Sequence, residues 1–388
     1  MSPKTKAPEP YKGFEQGPIR PPSEADSLLI RVTRNCPWNR CTFCPVYKKR
    51  KFSLRPVDHV KQDIDMVHKH VETLRQLANA SGRITREDIS NAMEGLSEGD
   101  SPAFYAALHW LSSGMKSIFI QDANSLIIKP RNMIDILTHL KQRFHWAERV
   151  TSYARSHTIA RIKDDDLTAI REAGLNRIHI GLESGSDAVL KMVKKGVTKE
   201  THIKAGIKVK NAGMELSEYV MPGLGGQDLS EEHALETADA LNQINPEFIR
   251  LRTLAIPGRA ELFKEYEEGR FKKCTDLMMT KEILLFIESL DGITSTIKSD
   301  HILNLFEEVD GVFPQGKAHI TDVLNTFLSM DREHQCLYQV GRRLGIFRRL
   351  SDMDDPAKMA RADQTRQQLG ITSENVDEMV DELMKRFI

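Results

Sequence analysis

No charge of either sign predominates in this chain. Lys plus Arg and Asp plus Glu each number 55 among 388 residues, so no net field argues for nucleic acid or an anionic membrane surface as a partner. No apolar run approaches the ~20 residues that cross a bilayer as a helix. The N-terminus is charged and proline-rich and lacks the apolar core of a secretory signal. Cysteine is scarce as well: five residues read as metal chemistry in a reducing compartment, not as a disulfide scaffold. These absences predict a soluble cytoplasmic protein of one large domain or two smaller ones.

Three of the five cysteines share one short loop. Cys36, Cys41 and Cys44 lie in Asn-Cys-Pro-Trp-Asn-Arg-Cys-Thr-Phe-Cys-Pro, with four residues between the first pair and two between the second. The loop directly follows the apolar stretch Leu28 to Thr33. Three thiolates so placed can hold three corners of a cubane iron–sulfur cluster and leave the fourth iron open, which suits a reactive site. The same spacing occurs in plant-type two-iron ferredoxins, which need a fourth cysteine, but Cys274 and Cys336 lie far along the chain. A zinc site would also want a fourth ligand, and His59 is outside the usual spacing.

The first 26 residues, with six prolines between Pro3 and Pro22, are expected to lie extended over the surface. A strand–helix rhythm then begins. Candidate strands are Leu28–Thr33, Ser117–Gln121, Val150–Arg155, Arg177–Leu182, Leu216–Met221 and Phe248–Leu254, with amphipathic helical stretches between them. Gly174 and Gly213 stand where helices should stop. Such alternation implies a parallel sheet, open or curled into a barrel. Arg177, His179, Gly181 and Glu183 share one strand face, as do Thr151, Tyr153 and Arg155, and Arg250 and Arg252. Helices must cover the apolar face, so the charged sets should point into a wet or ligand-filled lumen. Segment 57–116 reads as a helical insertion, either a lid over the barrel mouth or an elaborated surface hairpin. Beyond about residue 260 the chain reads as helical to Ile388.

The cysteine loop at the end of strand one, followed by this alternation, resembles the radical S-adenosylmethionine (SAM) superfamily. Arg177-Ile-His-Ile-Gly-Leu-Glu-Ser-Gly-Ser-Asp-Ala-Val-Leu-Lys-Met-Val-Lys-Lys-Gly196 and Val220-Met-Pro-Gly-Leu224 are similar to signatures of the branch with methylthiotransferases and coproporphyrinogen dehydrogenases. The resemblance implies a partial (β/α)6 barrel over residues 27–260, with a helical insertion within 57–116 and a helical C-terminal region over 261–388. It departs in one respect, because the superfamily's usual cysteine spacing is three then two.

The resemblance further implies that Cys36, Cys41 and Cys44 ligate one 4Fe–4S cluster whose open iron takes SAM, and that reductive cleavage of SAM yields a radical that abstracts hydrogen from an unidentified substrate. Phe43 matches the aromatic position beside the adenine. Where the family has a Gly-Gly-Glu turn, this chain has Gln121-Asp122-Ala123-Asn124, which makes Asp122 the candidate for the SAM amino group. Arg155 is the candidate for its carboxylate, and Glu183 for the ribose or methionyl end. The glycines at 223, 225 and 226 suit a loop close to the cofactor. The basic run Lys48-Lys49-Arg50-Lys51 would dock an acidic reductant such as flavodoxin or ferredoxin, or is a solvated turn. No auxiliary cluster, cobalamin domain or acetyltransferase domain is expected. A competing reading is an iron–sulfur protein without SAM chemistry, acting in electron transfer or as a scaffold.

Overall fold

The computed structural model describes residues 10–78 and 83–384. Eight strands form one sheet in chain order: β1 (Leu28–Arg31), β2 (Ser117–Gln121), β3 (Arg149–Ala154), β4 (Arg177–Glu183), β5 (Glu215–Val220), β6 (Phe248–Leu251), β7 (Thr296–Lys298) and β8 (Gly311–Val312). Every neighbouring pair is parallel except β7 with β8. The first six strands fall where the sequence rhythm puts them, each followed by helical crossovers, as a parallel sheet requires. The last two come from the region read as purely helical. They are three and two residues long, too short to leave a periodic signal. No helix among the described residues is long and apolar enough to cross a membrane.

One face of the sheet is apolar and covered. Ile178, Ile180 and Leu182 of β4 join Leu167, Ile170, Ala205 and Val209 of the flanking helices in a single core. Helix starts are capped by side chains: Ser186 accepts from the Val189 N–H and Thr198 from the Thr201 N–H. Segment 57–116 is not a lid. Its helices Val57–Leu77 and Ser101–Ser112 bury Val60, Ile64, Val67, Phe104 and Trp110 in the same core as Leu28 and Ile30 of β1. They form the outer covering of the first strands because their apolar stripes have no other surface to bury against.

The N-terminal segment, most of whose described residues are exposed or half-buried, also reaches the opposite, polar face. Among its described residues, Phe14 joins the core, and the Gly17 N–H donates to Gln121 Oε1 at 2.7 Å while Gln121 Nε2 donates to the carbonyls of Gly17 and Ile19. Glu24, fully buried, meets His179 Nε2 (3.3 Å), Arg149 Nη2 (3.3 Å) and the Ser27 hydroxyl (2.5 Å). Part of the lumen is thus filled by the chain itself. Proline content alone did not reveal that the segment carries the carboxylate that meets Arg149 and His179.

Burial pushes the Glu24 carboxyl up, but hydrogen bonds from His179 and Ser27 and the charge of Arg149 overcome it and hold it below its ordinary value. A carboxyl depressed in the folded state stabilises the fold above the unfolded pKa, and that contribution is lost as pH falls through the folded value. Glu24→Gln is therefore expected to lower stability by about 1–3 kcal/mol at neutral pH and by less in acid, where the native carboxyl is itself protonated. Urea unfolding of both proteins across the acid limb checks this; a stability difference that does not shrink with acidification contradicts it.

Candidate active site

The cysteine loop is held at both ends by one buried carboxylate. Asp122 Oδ2 accepts from Arg31 Nη2 (2.7 Å), Arg31 Nε (3.1 Å) and the Asn35 N–H (3.1 Å), and Oδ1 accepts from the Tyr47 hydroxyl (2.7 Å). Asn35 precedes Cys36 and Tyr47 follows Cys44, so Asp122 sets the span of the loop. With its side chain fully buried and four protein donors upon it, Asp122 is a loop clamp.

The other wall comes from the end of β4 and the turn after helix Asp187–Met192. Glu183 sits at a register shift in the β4–β5 ladder with φ of 65°, which turns its carboxylate toward Lys195 Nζ at 3.0 Å. Gly181 leaves room for this pair, since a Cβ there would meet Glu183 Oε1 at 2.2 Å. Arg155 directly follows β3. Its Nη2 donates to the Lys195 carbonyl (2.7 Å) and its guanidinium lies 5.0 Å from the Trp38 ring centroid. Lys195 Nζ lies 5.8 Å from the Phe43 centroid. Loop and turn are clasped together by the Trp38 Nε1–H to the Lys194 carbonyl (2.8 Å) and the Thr42 N–H to the Val193 carbonyl (3.0 Å).

The electrostatics tie the two walls into one site. Burial pushes the Cys41 and Cys44 thiols up, and each is raised further by neighbouring cysteines of the loop; Lys195 acts on both in the opposite direction, and Arg155 on Cys41. Glu183 also acts on Cys44. The donor set therefore fits an anionic sulfur-ligated group: three mutually repelling thiols on one loop with two cations beside them. Among the described residues no three His, Cys, Asp or Glu groups come together as ligands of a single ion, whereas thiolates that each take a different iron of a cluster need not converge on one point. Beyond the wall, Glu218 is fully buried, and that burial pushes its carboxyl well up, Lys195 pulling the other way. Glu183 is the carboxylate within hydrogen-bond distance of Lys195 Nζ.

The structure brings together Cys36, Cys41, Cys44, Phe43, Arg155 and Glu183. Lys195 and Trp38 were not singled out from the sequence. Lys195 lies inside the quoted 177–196 signature, and its helix-ending position before Gly196 was the signal available. The glycines at 223, 225 and 226 pack elsewhere, against Met279, Leu229 and Phe271. In the basic run, Lys48 pairs with Glu261 at 3.0 Å, while Lys49, Arg50 and Lys51 are exposed.

Residues 109–238 match the Radical SAM superfamily. That stretch of the chain is similar to the radical SAM superfamily. The match begins after the cysteine loop, so the loop joins the matched stretch through the geometry above. Over 231 residues, 55% of this chain and 26% of the relative, it is 30% identical to 4'-phospho-dehydrooxetanocin synthase of Priestia megaterium. Over 110 residues, 28% of this chain and 21% of the relative, it is 24% identical to tRNA uridine(34) acetyltransferase of Methanocaldococcus infernus. The matched stretches thus span about a fifth to a quarter of those relatives. Among solved structures, coproporphyrinogen III oxidase of Escherichia coli aligns with a TM-score of 0.43 at 15% identity, over 68% of this chain and 52% of that one.

The matched stretch and the cysteine loop meet at Gly196, whose φ is 73° and where a Cβ would fall 2.2 Å from the Trp38 ring. Gly196→Ala is expected to destabilise the fold by about 1–3 kcal/mol and to lower iron retained after anaerobic reconstitution, because the clasp must open. Thermal unfolding and iron analysis measure both; a variant with wild-type iron content speaks against the clasp.

Proposed function

We propose that this protein is a radical SAM enzyme that binds one 4Fe–4S cluster at Cys36, Cys41 and Cys44 and SAM beside it. The observation that carries the reading is the convergence of the three thiols with Lys195, Glu183 and Arg155 at the ends of β3 and β4. When bound, cluster and SAM supply one-electron cleavage of the sulfonium and a 5′-deoxyadenosyl radical for hydrogen abstraction.

The chain's own part is to bind and orient. Lys195 and Arg155 offer the cationic side that a carboxylate of the cofactor would meet, and Glu183 the anionic side for its amino or hydroxyl groups. Phe43, half-buried against Val189, Val193 and Leu254, offers an apolar wall for a flat base. Asp122 keeps the loop at a fixed span without touching the cofactor. The exposed Lys49, Arg50 and Lys51 give an acidic electron donor such as flavodoxin or ferredoxin a place to dock. The reaction class, oxidoreductase or transferase, follows the substrate.

Anaerobic reconstitution, reduction and low-temperature electron paramagnetic resonance with and without SAM test this reading, together with chromatography for 5′-deoxyadenosine. The expected result is a four-iron signal that changes with SAM, and 5′-deoxyadenosine in the products. A signal indifferent to SAM, without 5′-deoxyadenosine, returns the electron-transfer or scaffold reading. Replacing any one of the three cysteines by Ala is expected to abolish the signal.

Lys195→Ala should raise the SAM concentration needed to change the signal by about 10–100-fold, the worth of a charge-assisted hydrogen bond of roughly 1.5–3 kcal/mol. An unchanged SAM titration removes Lys195 from the cofactor site.

A further inference from the structure

The polar face of the sheet is lined by cations, and nearly all are matched. Arg31 pairs with Asp122, Arg149 with Glu24, Arg177 with Glu215 (2.7 Å), Arg250 with Asp300 and Lys298 with Asp310 (2.8 Å). Arg252 stands apart. It directly follows β6 on the same alternation as Arg250, and its backbone N–H is fixed by the Val220 carbonyl (2.9 Å). Among the described residues its guanidinium has neither an ion pair nor a hydrogen bond, and the residue is exposed.

Its surroundings are those of a site. Tyr153, in ring contact with Phe119, His179 and Tyr219 on the sheet's polar face, is within electrostatic reach of both Arg252 and Glu183. Arg252 borders the same mouth as the proposed cofactor residues along the sheet: its N–H bonds the Val220 carbonyl at the end of β5, and the N–H of the next residue, Met221, bonds the Glu183 carbonyl at the end of β4 (3.0 Å). His301, on the loop after β7, also feels Arg252; burial and that charge bring its pKa down to about 4. The His301 ring is thus neutral at ordinary pH. Its Nδ1 accepts from the Leu303 N–H (3.3 Å), which leaves the proton on Nε2 as a donor.

We propose that Arg252, flanked by His301 and Tyr153, is the subsite for an anionic group of the substrate, a carboxylate or a phosphate. An arginine stays charged at every accessible pH and presents a planar fork that matches either oxyanion. The neutral His301 Nε2–H adds a donor without adding charge. A substrate held there by its anionic end extends across Tyr153 toward the Lys195–Glu183 pair. This deepens the radical SAM reading, and rests on it for the identity of the mouth as the substrate's.

The test uses the full chain with its cluster, labelled with carbon-13 histidine, and sulfate as the probe anion against chloride at equal ionic strength. Sulfate is expected to move the His301 resonance saturably in the native protein. Arg252→Gln should weaken that response about tenfold or more, and Arg252→Lys, which keeps the charge, should retain most of it. The buried His179 and His202 report in the same spectra that each variant is folded. A native His301 that ignores sulfate, or a folded Arg252→Gln protein that responds as the native one does, overturns the inference. Iron content and the paramagnetic signal of the same sample are read separately, so failure of the cluster reading and failure of the anion subsite are different results.

Discussion

A parallel sheet covered by helices on one face leaves its other face to be lined by whatever the strands carry, and here they carry charge. In a low-dielectric interior an unpaired charge is far costlier than a paired one, so each strand cation needs a carboxylate from outside its own strand. That requirement draws the N-terminal segment down the polar face, where Glu24 answers Arg149 and hydrogen-bonds the His179 ring. It also accounts for Glu215 beside Arg177 and Asp300 beside Arg250. Against so complete a matching, the unpaired Arg252 at the mouth stands out.

The proposed site obeys the same rule with different parts. Three thiols on one loop repel one another once ionised, and Lys195 and Arg155 supply the countercharge. Neither cation belongs to the loop. One follows β3 and the other ends a turn after β4, and both are kept in place by the loop's own Trp38 and Thr42 bound to that turn. Asp122 does the complementary work at the opposite wall. Its carboxylate joins β1 through Arg31 to the two ends of the loop, so strand geometry is passed directly to the cysteines.

The six main strands were legible because each is a short apolar run between helical periods, and the two faces of β4 were legible because strand side chains alternate. The cysteines were legible because their spacing alone confines them to one loop. The partners of Asp122 were not legible: a carboxylate in a turn at a strand end looks the same in sequence whether or not Arg31, Asn35 and Tyr47 surround it. The sequence left the insertion open between a lid and a surface hairpin for a similar reason, since an apolar helical stripe does not say which surface it will cover. Strands β7 and β8 escaped because pairing, not pattern, makes so short a stretch a strand.

By itself the sequence determined the alternation of strand and helix, the clustering of three thiols on one loop and the charge on one face of each strand, all of which depend on spacing along the chain. Tertiary structure alone decided which carboxylate meets which cation, that Lys195 stands beside the thiols, and that among the described residues the Arg252 guanidinium has no ion pair. Those outcomes depend on contacts between residues far apart in the chain, such as Glu24 with His179 and Glu183 with the loop of Cys44. Spacing carries no information about them, because the free energy that selects them arises only when folding removes the charges from water.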